Sequence, residues 1–232
     1  MELIWEGLRE AFHLIFTFDP LVMEAAARTF FVSITAITIA TVIGLPAGTA
    51  LARVDFVGKG VLVLVFRASM AVPTVFIGIL CYSLFSRRGP LGPTELLYTP
   101  WAIIFGELLL ALPIILSFSH AAVGALDPRV AETARTLGAG TMRRWGTYTS
   151  EARLGIMLAV LTAFARCATE LGIAMMVGGN IKGRTRTLST ATALESSQGE
   201  FERGLAMGII LLLMSLGVTS LIVALSREEK NA

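Results

Sequence analysis

The sequence predicts an all-α integral membrane protein with about five transmembrane helices and an N-terminal amphipathic helix. Of its 232 residues, 55% are hydrophobic and 16% charged, against ~25% charged in an average soluble domain. The mean hydropathy is +0.74. Apolar runs fall at 30–52, 61–85, 101–122, 155–177 and 205–225, each near the ~20 residues that carry a helix across ~30 Å of hydrocarbon. The runs are continuous, whereas barrel strands alternate over segments of about ten residues.

Residues 1–20 carry Glu2 and Glu6 where a signal peptide places positive charge, and no small-residue cleavage site follows. Leu3, Ile4, Leu8, Phe12 and Ile15 share one helical face, so this segment is expected along the membrane interface, with a charged sixth span as the alternative. The spanning part is expected over 21–226, with a loop at 123–154, and 227–232 forms a polar tail. In the first run, Gly44, Ala47, Gly48 and Ala52 permit close helix approach.

The second run holds Arg67, Pro73 and Thr74, and the third holds Glu107 and Pro113. Each proline removes a helical hydrogen bond and is expected to bend its span, either as part of a gate or as ordinary membrane-helix irregularity. In the fourth run Arg166 and Glu170 are four apart on one face, which suits an ion pair or a contact with cargo. Cys81, Cys167, His13 and His120 are dispersed without metal-ligand spacing. No metal cluster, nucleophile elbow or paired catalytic carboxylates stand out, and the net charge of +2 says little about partners. Gly58-Lys59-Gly60 lacks the rest of a phosphate-binding loop.

The polar loop is the segment with the most to do. Asp127 before Pro128 predicts a helix start, and the helix is expected to run to Leu137. Gly138 and Gly140 supply a permissive corner, and Thr141 is expected to cap a second helix bearing Met142, Arg143, Arg144, Trp145 and Thr149. Ala131, Ala134 and Leu137 would present a small-residue surface to a soluble partner. Lys and Arg divide almost evenly between the two sides of the predicted topology, so the loop's identity sets the orientation.

Glu132-Thr133-Ala134, Leu137-Gly138-Ala139 and Arg153-Leu154-Gly155 resemble the EAA motif of permease subunits of binding-protein-dependent ABC importers, with Ser150-Glu151 where an apolar-proline pair is usual. The resemblance implies the type I importer permease fold. It also implies that Glu132, Thr133, Ala134, Leu137, Gly138, Ala139, Gly140, Arg143 and Trp145 couple the chain to an ATPase. Arg67, Pro73, Thr74, Pro113, Arg166 and Glu170 become candidates for the translocation path or gate.

Downstream, Glu170-Leu171-Gly172, Gly179-Asn180-Ile181, Gly183 and Thr185-Arg186-Thr187 resemble the permeases of the molybdate, tungstate and sulfate group. Asn180, Gly183, Thr185, Arg186 and Thr187 would form an outer loop offering donors to an anion or a docking face to a binding protein; a plain surface loop is the alternative. The TFDP start, the SRRGPLG loop and the SEARLG stretch resemble the tungstate permeases most and the molybdate ones next.

The implied partners are a second copy of the chain, two cytoplasmic ATP-binding subunits, an extracytoplasmic oxyanion-binding protein and membrane lipid, with no nucleic acid. ATP and Mg belong to the partner ATPase, and no cofactor is expected on this chain. The implied location is the cell membrane, with the N-terminus outside and the C-terminus cytoplasmic. An ATP-independent secondary transporter or channel is the rival class, although no internal repeat of the kind such chains carry is visible.

Overall fold

The computed structural model describes the backbone of residues 2–231 and the side chains of residues 4–220, 223 and 224. It is all-α among the described residues. Helix α1 (Glu2–Phe16) leads through a short turn to α2 (Pro20–Arg53), followed by α3 (Lys59–Ser69), α4 (Thr74–Phe85) and α5 (Pro100–Gly124). Then come α6 (Pro128–Thr136), α7 (Thr141–Glu151), α8 (Arg153–Ala168), a π-helical turn (Ala174–Gly178), α9 (Leu188–Ser197) and α10 (Phe201–Asn231). The start of α2 is fixed by Asp19, whose carboxylate accepts from Leu21 N and Val22 N at 3.0 and 3.1 Å, with Pro20 in the first turn.

Two of the five expected spans are not single helices. Among the described residues, α2, α5 and α10 are long and apolar enough to cross a membrane. The 61–85 run is broken instead: α3 and α4 meet at 97°. Pro73 therefore does not bend a span from within; it stands at the N-cap of α4, where its missing N–H costs nothing. Pro113 lies inside the unbroken α5, and Pro46 has the same setting in α2. The 155–177 run also divides. Helix α8 ends at Ala168 after 16 residues, short of a span, because the Glu170 carboxylate takes Ile173 N at 3.1 Å and starts a new turn.

The core lies where α2, α5 and α8 meet: Val32, Ala36 and Ala40 pack with Ile103, Ala111 and Ile115, and with Ala163, Phe164 and Cys167. Helices α2 and α5 approach closely because of Gly48, where a Cβ would lie 2.6 Å from Leu116 O. Cys81 and Cys167 are free thiols inside this core.

A second core joins α1 to α2, α9 and α10 through Ala11, Leu14, Val22, Leu188, Ala206 and Met207. The fully buried side of α1 is thus Gly7, Ala11 and Leu14, and of the expected apolar face Ile15 packs beside them. Ile4 and Phe12, from that expected face, are 58% and 54% exposed, as are the neighbouring Trp5 and Phe16 at 74% and 77%. Large side chains turned outward around a small-residue contact fit a helix bordered by lipid. Leu3 of the expected face and the expected tail 227–232 have side chains outside the described residues.

Candidate functional site

The loop after α5 folds into the expected elbow. Asp127 Oδ1 accepts from Arg129 N at 2.9 Å, and the Arg129 guanidinium closes on the same carboxylate at 2.8 Å. This pairing holds the Asp127 carboxyl below the usual carboxylate range, through the side-chain hydrogen bond first and the backbone one second. Helix α6 ends one residue before the expected Leu137 and the corner turns at Gly138, φ +71°, with Ala139 N returning to Ala134 O at 2.9 Å. Gly140 has φ −63°, so its glycine freedom is unused. Thr141 does not cap α7 either: it is the first helical residue, and the N-cap, Gly140, offers no side chain.

The α6 surface also differs from the expectation. Ala134 is buried, and Ala131 packs beside the small core of Val123, Tyr148 and Ala152. Shape at the corner comes from Leu137 and Met142, 80% and 88% exposed, beside a cleft of about 530 Å³ lined by Thr133, Leu137, Ala139, Arg143 and Thr147 among others. Glu132, Thr133 and Arg143 are exposed and Trp145 half-buried. The elbow is tied to the body by Arg53, overlooked at the sequence level. Its guanidinium lies 4.6 Å from the Tyr148 ring centroid and donates to Val123 O at 3.0 Å. The only advance signal was a basic residue in the last turn of a long apolar helix.

The Arg166–Glu170 pair forms, Nη1 to Oε2 at 2.9 Å. Glu170 also accepts from Ile173 N through its other oxygen, and its carbonyl accepts from Ser189 Oγ at 2.8 Å. Thr74 and the start of α4 pack on this break, since a Cβ at Gly172 would lie 3.1 Å from both Thr74 Oγ1 and Val75 N. Glu107 is buried on α5, where its carbonyl faces the Cys167 thiol at 3.7 Å. Arg67 is exposed on α3 and Pro113 buried in α5; neither is hydrogen-bonded to the pair among the described residues.

The 179–187 loop is tied down by internal hydrogen bonds. Gly179, Asn180 and Gly183 adopt φ of +70°, +50° and +74°. Thr185, fully buried, donates to Gly178 O at 2.6 Å and accepts from Ile181 N at 3.0 Å. Arg186 Nε reaches Asn180 Oδ1 at 3.1 Å, while Arg28 Nη1 donates to Arg186 O at 3.0 Å. Thr187 forms a capping box with Thr190, and Leu188 N donates to Thr29 Oγ1 at 2.9 Å. The Thr185 and Thr187 hydroxyls are thus consumed within the protein and are not offered to a ligand. The exposed part is Gly179 and Ile181-Lys182-Gly183-Arg184.

Residues 40–230 match the family described as binding-protein-dependent transport system inner membrane component. The chain is 36% identical to the tungstate uptake system permease protein TupB of Peptoclostridium acidaminophilum, covering 98% of this chain and 100% of that one. TupB of Campylobacter jejuni is 34% identical over 93% and 90%, and the molybdenum transport system permease protein ModB of Escherichia coli 32% over 83% and 91%. Among solved structures, the inward-facing MetNI methionine ABC transporter superposes with a TM-score of 0.66 at 18% identity, over 88% of this chain and 95% of that one. The last likeness concerns the fold, which is that of a type I importer permease.

Proposed function

This chain belongs to the binding-protein-dependent transport system inner membrane components, and we propose from that premise that it is the permease of an ABC importer for a tetrahedral oxyanion, tungstate first and molybdate next. The observation that carries the cargo is the end-to-end likeness to two tungstate permeases. The chain conducts and its partners hydrolyse: two ATP-binding subunits take the elbow, a second copy completes the path, and an extracytoplasmic oxyanion-binding protein delivers the anion. ATP and Mg act on the ATPase, outside this chain.

The elbow residues Glu132, Thr133, Leu137, Gly138, Ala139, Gly140, Arg143 and Trp145 transmit closure of the ATPase, with Ala134 anchoring them to the body. Helix α2 supports the sidedness of this arrangement. Arg28 bonds the 179–187 loop and Arg53 lies over Tyr148 of the elbow, and about 37 Å of helix, at ~1.5 Å per residue, lies between them. That exceeds the ~30 Å of hydrocarbon, which supports a reading with the elbow in the cytoplasm and the loop with Asn180, Gly183 and Arg186 outside. The N-terminal helix is then outside and the end of α10 cytoplasmic. Arg67, Pro73, Thr74, Pro113, Arg166 and Glu170 are the path and gate residues of this reading. The 97° break at Pro73 and the break at Glu170 provide backbone that can reshape without unwinding a complete span.

The test is uptake into proteoliposomes holding this chain, its ATPase and its binding protein, with tungstate, molybdate and sulfate in competition. ATP-dependent uptake in which tungstate wins at low concentration is the expected result. Uptake insensitive to ATP depletion overturns the importer reading in favour of a secondary transporter.

A further inference from the structure

Arg166 and Glu170 differ sharply in their surroundings. The Glu170 side chain is 1% exposed, and Arg166 is 45% exposed. Arg166 stands 13 residues into α8, about 20 Å along a helix that rises ~1.5 Å per residue, which is deep within ~30 Å of hydrocarbon. A guanidinium this open does not face lipid tails; it faces water or a partner across a water-filled space.

The exposed stripe of α8 runs through Leu158, Thr162, Arg166 and Thr169. Thr162 Oγ1 donates to Leu158 O at 2.7 Å and Thr169 Oγ1 to Ala165 O at 2.8 Å, so both hydroxyl protons are occupied. Arg166 bonds Glu170 through Nη1 alone among the described residues. A guanidinium carries five N–H donors in a planar fork matched to oxyanions. The free part of that fork is therefore the strongest anion donor on the stripe.

We infer that Arg166 is the residue on which the oxyanion pauses inside the membrane, and that Glu170 is a positioning residue that also keeps this stop weak. The inference rests on the importer reading above and assigns it one contact. A conducting site must bind well enough to admit its ion and loosely enough to release it. An unpaired arginine lining a narrow path between low-dielectric walls would hold a dianion too long. Glu170 cannot swing aside to leave Arg166 unpaired, because Ile173 N and Ser189 Oγ hold its carboxylate and its carbonyl. Each anion thus meets a charge that is already half-neutralised.

The experiment compares wild type, Arg166→Gln, Glu170→Gln and the double variant in two measurements. One is tungstate retained by the purified permease–ATPase complex in equilibrium dialysis, with sulfate as competitor. The other is ATP-driven tungstate uptake into proteoliposomes with the binding protein. Glu170→Gln keeps the oxygen that accepts from Ile173 N while removing the charge. It is expected to retain tungstate about tenfold more tightly, the size of one charge-assisted contact, and to transport more slowly.

Arg166→Gln leaves a buried carboxylate unpaired and is a folding risk; the double variant removes both charges and avoids it. Both are expected to retain no tungstate and to lose uptake about tenfold or more, while ATP hydrolysis stimulated by loaded binding protein persists. Wild-type uptake by the double variant, or retention unchanged by Glu170→Gln, overturns the inference and leaves the pair a structural neutralisation. Wild-type protein that hydrolyses ATP and carries no tungstate overturns the importer reading and this inference with it.

Discussion

Gly138 offers a graded test of how the elbow works. Its φ of +71° lies in the left-handed region, and a Cβ there would meet nothing within 4 Å. Within this chain any effect of alanine is therefore a backbone effect, about 1–2 kcal/mol for an L-residue in that conformation. Asparagine tolerates the region better and is expected to cost less. Proline is a different perturbation: it fixes φ near about −65°, removes the Gly138 N–H that bonds Arg135 O at 3.0 Å, and disfavours the helical backbone of Leu137 before it. The native corner is then inaccessible, and α7 must leave α6 at another angle. In proteoliposomes matched for permease content, Asn and Ala variants are expected to keep most ATP-driven uptake. The Pro variant should lose it, together with co-purification of the ATP-binding subunit. A well-inserted Gly138→Pro protein importing at the wild-type rate would refute coupling through this corner, and Ala failing as badly as Pro would refute the backbone account.

Gly48→Ala puts a Cβ 2.6 Å from a backbone oxygen of α5, an overpacking expected to cost about 1–3 kcal/mol and to lower the thermal midpoint in detergent; Gly60→Ala, with nothing within 4 Å and a helical backbone that favours alanine, is the control expected not to lower it. Thr185→Val strands Ile181 N and Gly178 O, costs about 1–3 kcal/mol, and is expected to speed tryptic cleavage at Lys182 and Arg184; an unchanged rate would mean the loop is held by other bonds. The depressed Asp127 carboxyl gives the α6 cap a defined acid limit. Its contribution is complete above the unfolded value of about 4 and is lost only as pH falls further, through the folded value. Protection of the Arg129 amide in hydrogen exchange should therefore be level at neutral pH and fail in acid.

The long helices and the elbow were legible because their signals are local: continuous apolar runs, Asp127-Pro128, and a glycine at the corner. The ion pair was legible for the same reason, a spacing of four. What escaped was set by contacts between distant residues. The end of α8 depends on a carboxylate turning back to Ile173 N inside an apolar run, which hydropathy cannot register. The buried side of α1 is Gly7, Ala11 and Leu14 because close approach to α10 favours small residues, whereas sequence reasoning follows the large ones. The partners of Thr185 and Thr187 were not legible, since a hydroxyl looks equally available for a ligand or for its own loop until the fold closes around it. Arg53 and Tyr148 meet only once α2 and α7 have been brought together.

The contact between α1 and α10 orders events during synthesis. Gly7 meets Leu205, so α1, synthesised well before α10, waits for it before its small-residue side is covered. Until then Ala11 and Leu14 border lipid or whatever insertion factor shelters the nascent chain, and the second core stays open. A chain stopped short of Leu205 would retain the α2–α5–α8 core yet leave its N-terminal helix undocked, a ready handle for membrane quality control.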